Sequence, residues 1–168
     1  GQPSVAEAVR LAEQAASLGF DAVSALPPHA YPFSDEAIHG YYRDLAAATD
    51  LPMIVYEIPV RTGRALSADL LLRLFDLPNV AGIKFTSTDL YKLSILRRAR
   101  PDKLFFFGFD EMFVAAAALG CDGGIGTTYN VLGSLYTAAF EAVEANDILT
   151  ARALQEISQD YVDLLVRI

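Results

Sequence analysis

The sequence holds one cysteine, Cys121, and no tryptophan. A single thiol forms no intramolecular disulfide, so the fold has to rest on packing, and thiol usage this sparse reads as cytoplasmic. Cys121 itself is expected to be a small apolar filler. Histidine occurs only at His29 and His39, without metal-ligand spacing, and no metal site is expected. Basic residues are in deficit: 13 Lys and Arg stand against 21 Asp and Glu, a formal net charge of −8. Such a field does not attract nucleic acid or anionic membrane, so neither is expected as a partner, although a local basic pocket for a small anion stays open. No apolar run reaches the roughly 18 residues of a membrane span. No secretory signal pattern is visible. The chain opens without an initiator methionine, and residues 164–168 continue an apolar helical pattern without a cap. Both ends are expected to be cuts rather than natural domain boundaries.

What the sequence does have is apolar material in a regular order. Of its 168 residues, 53% are hydrophobic and 20% charged, which suits one well-packed domain. Short strand-like runs at residues 21–26, 52–57, 80–85, 103–107 and 123–127 alternate with amphipathic helical stretches. Ser4, Ser34 and Ser67 stand where helix N-caps are wanted, as does Asp89 or Thr88. Gly19 and Gly120 stand where helices should stop. Further helices are expected over residues 111–119, 134–145 and 149–168, and a proline-rich loop holding Pro27, Pro28 and Pro32 after the first strand. A strand–helix repeat of this kind predicts a parallel sheet with helices outside it. A (β/α)8 barrel and an open doubly wound sheet both fit. No GxGxxG follows any strand, which counts against a dinucleotide fold. Five strands are short of the eight that close a barrel, so residues 1–168 are expected to form a single, partial TIM-barrel domain.

Lys84 is the sharpest chemical signal. It lies inside the apolar run Val80-Ala81-Gly82-Ile83-Lys84-Phe85. Alternation puts Gly82, Lys84 and Thr86 on one face and Ile83 and Phe85 on the other. Burial of an ammonium favours its neutral form, the nucleophile that attacks a ketone to give a Schiff base. The alternative is a lysine that snorkels to the strand end and pairs with a carboxylate. Tyr56 ends the preceding strand on the corresponding face, where a phenol could relay protons or simply pack. Asp110 and Glu111, after Gly108, could bind a hydroxyl-rich substrate or could open a helix. Gly123, Gly124 and Gly126 would let a ligand approach the backbone, with the Thr127 hydroxyl beside them, or would serve tight packing. Arg61, just past Tyr56, could clamp a carboxylate or stand exposed on a turn.

Taken in order, the runs GFDAVSALPPHAYPFSDE, IVYEIPVRTG, GIKFTS, GFDE and DGGIGTTYNV resemble the N-acetylneuraminate lyase branch of the dihydrodipicolinate synthase and N-acetylneuraminate lyase family of class I pyruvate aldolases. The likeness runs along essentially the whole chain. It implies a TIM barrel, usually tetrameric, in which Lys84 forms a Schiff base with pyruvate and Tyr56 relays protons. It implies that Thr86, Gly108, Asp110, Glu111 and Thr127 hold the sugar part of the substrate, with Ile125 near the pyruvate carboxylate through its backbone. The implied reaction is reversible cleavage of N-acetylneuraminate to N-acetylmannosamine and pyruvate, without metal or organic cofactor. The sequence departs from the family pattern in three ways. The first three strands, the terminal helices and the Gly-Ser-Thr-Gly-Glu loop that grips the pyruvate carboxylate are expected to be absent, leaving the isolated segment with little or no activity. Arg61 is typical of dihydrodipicolinate synthases, which makes a 4-hydroxy-tetrahydrodipicolinate synthase or another sugar-acid aldolase the alternative. Glu57 stands for a common Asn, and Ala30 for a usual aromatic residue. A non-catalytic, ligand-binding relative is the reading from outside enzymes.

Overall fold

The computed structural model describes residues 4–167; Gly1, Gln2, Pro3 and Ile168, and with them both ends of the chain, lie outside the described residues. Helix α1 (Val5–Ser17) starts where the Ser4 hydroxyl accepts the Glu7 N–H and stops ahead of Gly19, whose φ of 76° is left-handed. Strand β1 (Val23–Ala25) follows, then α2 (Asp35–Ala46), capped by Ser34. Strand β2 (Met53–Glu57) leads into the one-turn helix α3 (Pro59–Thr62) and then α4 (Ala68–Phe75), capped by Ser67. Strand β3 (Val80–Phe85) is followed by α5 (Leu90–Ala99), whose cap is Asp89 rather than Thr88. Strand β4 (Leu104–Phe107) passes through a 3-10 turn (Asp110–Met112) into α6 (Phe113–Ala118). Strand β5 (Gly123–Gly124) precedes α7 (Tyr129–Glu144) and α8 (Ile148–Val166).

The five strands form one parallel sheet in the order β1-β2-β3-β4-β5. Each strand neighbours the one before it in sequence, the arrangement of a barrel wall rather than of a doubly wound sheet, whose order reverses. The chain is thus a section of a (β/α)8 barrel. Met53, Val55, Ile83, Phe85, Phe105 and Phe107 belong to the helix-facing core, together with Leu70, Leu71, Leu74, Leu93 and Leu96. Their neighbours in sequence, Ile54, Tyr56, Lys84 and Phe106, therefore point to the barrel interior. Tyr56 pairs with Lys84, Lys84 with Phe106 and Phe106 with Gly123, so these four form one rung across the inner face.

Several boundaries differ from the sequence expectation: β1 keeps only Val23–Ala25 of residues 21–26, α6 only Phe113–Ala118 of residues 111–119, and two further differences lie near the strand ends. The last strand is two residues long, not five. Ile125 still donates its N–H to Phe107 O at 2.9 Å, but Thr128 is then drawn to the Asp110 carboxylate and the chain turns. Helix α7 begins at Tyr129, five residues ahead of the expected start, with a kink at Leu132. Cys121 is a buried filler as expected, and burial raises its thiol to a pKa of about 12. Among the described residues no helix is long and apolar enough to cross a membrane.

Candidate active site

Parallel barrels collect functional groups at the carboxyl ends of their strands. Ten residues singled out from the sequence, Tyr56, Arg61, Lys84, Thr86, Gly108, Asp110, Glu111, Ile125, Gly126 and Thr127, line one open pocket there, with a volume of about 670 Å³, whereas Gly123 and Gly124 line a different one beside Tyr129. Lys84 Nζ lies 4.2 Å from the centroid of the Tyr56 ring. Both side chains are half-buried. The ion pairs of the described residues do not include Lys84, whereas Lys92 is paired. The carboxylate partner that the alternative for Lys84 required is thus found instead at Lys92, on α5 and buried against Glu57.

Thr86 and Gly108 sit one step beyond the Lys84 rung, on the same face. Gly108 N–H donates to Phe85 O at 3.0 Å and Thr86 N–H to Glu57 O at 2.8 Å, so both backbones are pinned. A Cβ on Gly108 would stand 3.3 Å from Lys84 Cε and would overlap the Thr86 hydroxyl, so only glycine leaves room here. Thr86 Oγ1 is buried without a partner.

Asp110 does not cap its own helix. Its Oδ2 accepts from Thr128 N–H at 2.8 Å and from the Thr128 hydroxyl at 2.6 Å. That hydroxyl also meets Tyr136 OH at 2.8 Å. The other oxygen, Oδ1, is buried without a partner and lies against Gly126, whose missing side chain makes the approach possible. Asp110 is therefore first a fastener for the last strand–helix loop, with one oxygen left uncommitted. Glu111 lines the pocket, and Gln159 Nε2 donates to its carbonyl at 2.9 Å. The Ile125 N–H is spent on Phe107 O, so a ligand would meet the Ile125 carbonyl and side chain instead. Thr127 is exposed at the rim. Arg61 is exposed on α3, with no carboxylate partner among the described residues.

The pocket is electrically divided. Lys84 and Arg61 stand on the β2–β3 side, Asp110 and Glu111 on the β4 side. Among the described residues no three His, Cys, Asp or Glu side chains converge as a metal site would require. Three groups that shape the site carry little or no sequence signal. Thr128 holds Asp110 from 18 residues away. Gln155, buried on α8, accepts from Val114 N–H at 2.8 Å and donates to Asp110 O at 3.1 Å. Val162, Leu165 and Val166, near the end of α8, form an apolar wall of the pocket. Only the last left a trace in the sequence, an i, i+3, i+4 apolar spacing on a helix with no obvious partner.

Fold and site together define a class: a section of a parallel (β/α)8 barrel with an uncommitted lysine stacked on a tyrosine at the strand ends. More narrowly, the chain belongs to the dihydrodipicolinate synthetase family, whose family model matches residues 1–167. The N-acetylneuraminate lyase of Escherichia coli (strain SMS-3-5 / SECEC) is 44% identical over 99% of this chain and 57% of its own length. That of Enterobacter sp. (strain 638) is 43% identical over 100% of this chain and 57% of its own. Among solved structures, CdNal from Clostridium difficile in complex with mannosamine superposes with a TM-score of 0.95 at 39% identity, over 97% of this chain and 56% of that one. A putative dihydrodipicolinate synthetase from Pseudomonas aeruginosa gives a TM-score of 0.92 at 27% identity, over 98% of this chain and 57% of that one. The chain spans 57% of the length of the curated relatives it matches.

Proposed function

We propose that this chain carries the catalytic lysine and the sugar-binding side of a Schiff-base aldolase that reversibly cleaves N-acetylneuraminate to N-acetylmannosamine and pyruvate. The observation that carries the reading is Lys84 Nζ lying 4.2 Å from the Tyr56 ring centroid on the barrel's inner face. In the cleavage direction the Lys84 amine adds to the C2 ketone of the open-chain sugar acid and water leaves, giving an iminium ion. Tyr56 relays the proton lost from the C4 hydroxyl while the C3–C4 bond breaks and its electrons flow into the iminium. The aldehyde departs as N-acetylmannosamine. The enamine left on Lys84 takes a proton at C3, and water then releases pyruvate and the free amine. The division of charge suits both ends of this substrate: a carboxylate on the Lys84 and Arg61 side, hydroxyl groups on the Asp110 and Glu111 side. The names of the relatives point the same way.

The full protein is read as cytoplasmic and homotetrameric, after the resemblance. The segment by itself leaves β1 and β5 each paired on one side only, and open edges invite association. Turnover by these 168 residues alone is expected to be negligible, since poor orientation of pyruvate can forfeit roughly 7–11 kcal/mol of barrier lowering.

A second reading has an observation of its own. The unpaired Arg61 on the pocket wall suits an acid-bearing aldehyde, as a 4-hydroxy-tetrahydrodipicolinate synthase would use. Product analysis separates the two. Release of pyruvate from N-acetylneuraminate supports the first. Condensation of pyruvate with aspartate semialdehyde, without sialic acid cleavage, supports the second. No reducible adduct with pyruvate would leave only a non-catalytic binding role.

A further inference from the structure

Behind the pocket lies a buried ion pair that the proposed chemistry does not use. Glu57 ends β2 immediately after Tyr56 and is 1% exposed; Lys92, on α5, is 8% exposed. Lys92 Nζ donates to Glu57 Oε1 at 2.8 Å and to Leu66 O at 3.0 Å, and Leu66 N–H donates to the same Glu57 oxygen at 3.1 Å. Glu57 and Leu66 are the two ends of the loop that carries α3, and one carboxylate oxygen and one ammonium draw those ends together. The Glu57 carbonyl also receives Thr86 N–H, two residues beyond Lys84. The pair thus ties the loop bearing Arg61 to the strand bearing the reactive amine.

The loop has bonds of its own, from the Thr62 hydroxyl to Ile58 O at 3.2 Å and Arg64 O at 3.1 Å and from Arg64 to Phe33 O and Asp35, but none of these reaches β3 or α5. A four-residue helix has no stability of its own, and α3 lacks a side-chain cap. Val60 and Arg61 stand out into solvent at the pocket wall. Removal of two charges from water is a poor route to stability, and an apolar pair of similar volume commonly does as well. Glu57 Oε2 even remains buried without a partner. What a buried pair supplies that an apolar one does not is a fixed register.

We infer that Glu57 and Lys92 form a positioning latch that sets the Arg61 loop against Lys84 and thereby the enzyme's hold on a substrate carboxylate. The inference rests on the aldolase reading of the pocket. Its test is a cycle on the full-length protein: Lys92→Met, Glu57→Gln, the Glu57→Gln/Lys92→Met double variant, Arg61→Ala, and Lys92→Met in the Arg61→Ala background. Each is assayed for kcat and KM in sialic acid cleavage, and the wild type and the three variants that keep Arg61 also for tryptic cleavage after it. Lys92→Met is expected to raise KM by about tenfold, the scale of one charge-assisted hydrogen bond, with a small change in kcat. In the Arg61→Ala background it should add little further, because both act on one contact. Glu57→Gln keeps an acceptor for Leu66 N–H and Lys92 but removes the counter-charge, so KM should rise less than in Lys92→Met. Tryptic nicking after Arg61 should quicken in Lys92→Met, and less so in Glu57→Gln. If Lys92→Met does not fold, the double variant, which removes both charges, carries the same comparison. Equal losses of kcat with and without Arg61, or unaltered nicking, would overturn the latch. Failure of the wild type to form an adduct with pyruvate would instead overturn the aldolase reading, and the nicking comparison would still decide the latch.

Discussion

Gly108→Ala tests the packing around the Lys84 amine more sharply than removal of the amine itself. The new methyl would stand 2.9 Å from Thr86 Cβ and 3.3 Å from Lys84 Cε, besides overlapping the Thr86 hydroxyl. Rotation of Thr86 moves its hydroxyl out of the way but not its Cβ, so a side-chain flip alone does not relieve the contact. The strands cannot part freely either, since Phe85 O holds Gly108 N–H and Glu57 O holds Thr86 N–H. Overpacking of this kind costs about 1–3 kcal/mol. In a domain of 150–250 residues that lowers Tm by roughly 2–12 °C. The catalytic effect should be larger than the stability effect, because Lys84 Cε is one of the displaced atoms and a shift of about 1 Å at a reacting group can cost 10²-fold in rate. The assay is the rate of borohydride-trapped adduct formation with pyruvate, beside thermal unfolding at fixed protein concentration. Thr86→Ala in the same chain removes the hydroxyl overlap and leaves the Cβ contact, so the double variant should recover part of both losses. A Gly108→Ala protein with wild-type trapping rate and Tm would refute the geometry.

Three further outcomes follow from individual groups. Gln155→Leu leaves Val114 N–H without its acceptor, while Asp110 O keeps the Phe113 N–H, so the single unsatisfied group should lower denaturant stability by about 1–3 kcal/mol. Tyr129→Phe removes a buried hydroxyl that has no partner, and Tm should rise, by the equivalent of about 1 kcal/mol. Burial raises the pKa of Glu57 above its ordinary value of 4.5, against the opposing pull of Lys92. A carboxyl raised in the folded state contributes stability that is present below its unfolded pKa and is lost as pH climbs through the folded value. Thermal scans from pH 4.5 upward should therefore show this loss in the wild type and a flatter profile in Glu57→Gln.

Much of the fold was legible because it is written in local terms. Ser4, Ser34, Ser67 and Asp89 each cap the helix they precede. The period-2 pattern of β2 and β3 correctly put Tyr56 and Lys84 inward and opposite one another. The residues that escaped are those whose roles depend on partners far along the chain. Nothing around Glu57 announces Lys92, 35 residues on, and nothing around Asp110 announces Thr128 or Gln155. The strand expected over residues 123–127 shows the same limit. Its composition permits extension, but a tertiary contact from Asp110 to Thr128 ends it after Gly124. Chemistry that rests on one strand's alternation is readable in sequence, whereas the supports that fix it appear only once distant elements are packed.

The whole account rests on one side chain forming a carbon–nitrogen bond. Full-length protein treated with pyruvate and borohydride, then digested and mapped by mass spectrometry, should carry the reduced adduct on the peptide containing Lys84, and a Lys84→Ala variant should carry none. An adduct on another lysine, or the absence of any adduct in the wild type, would contradict it.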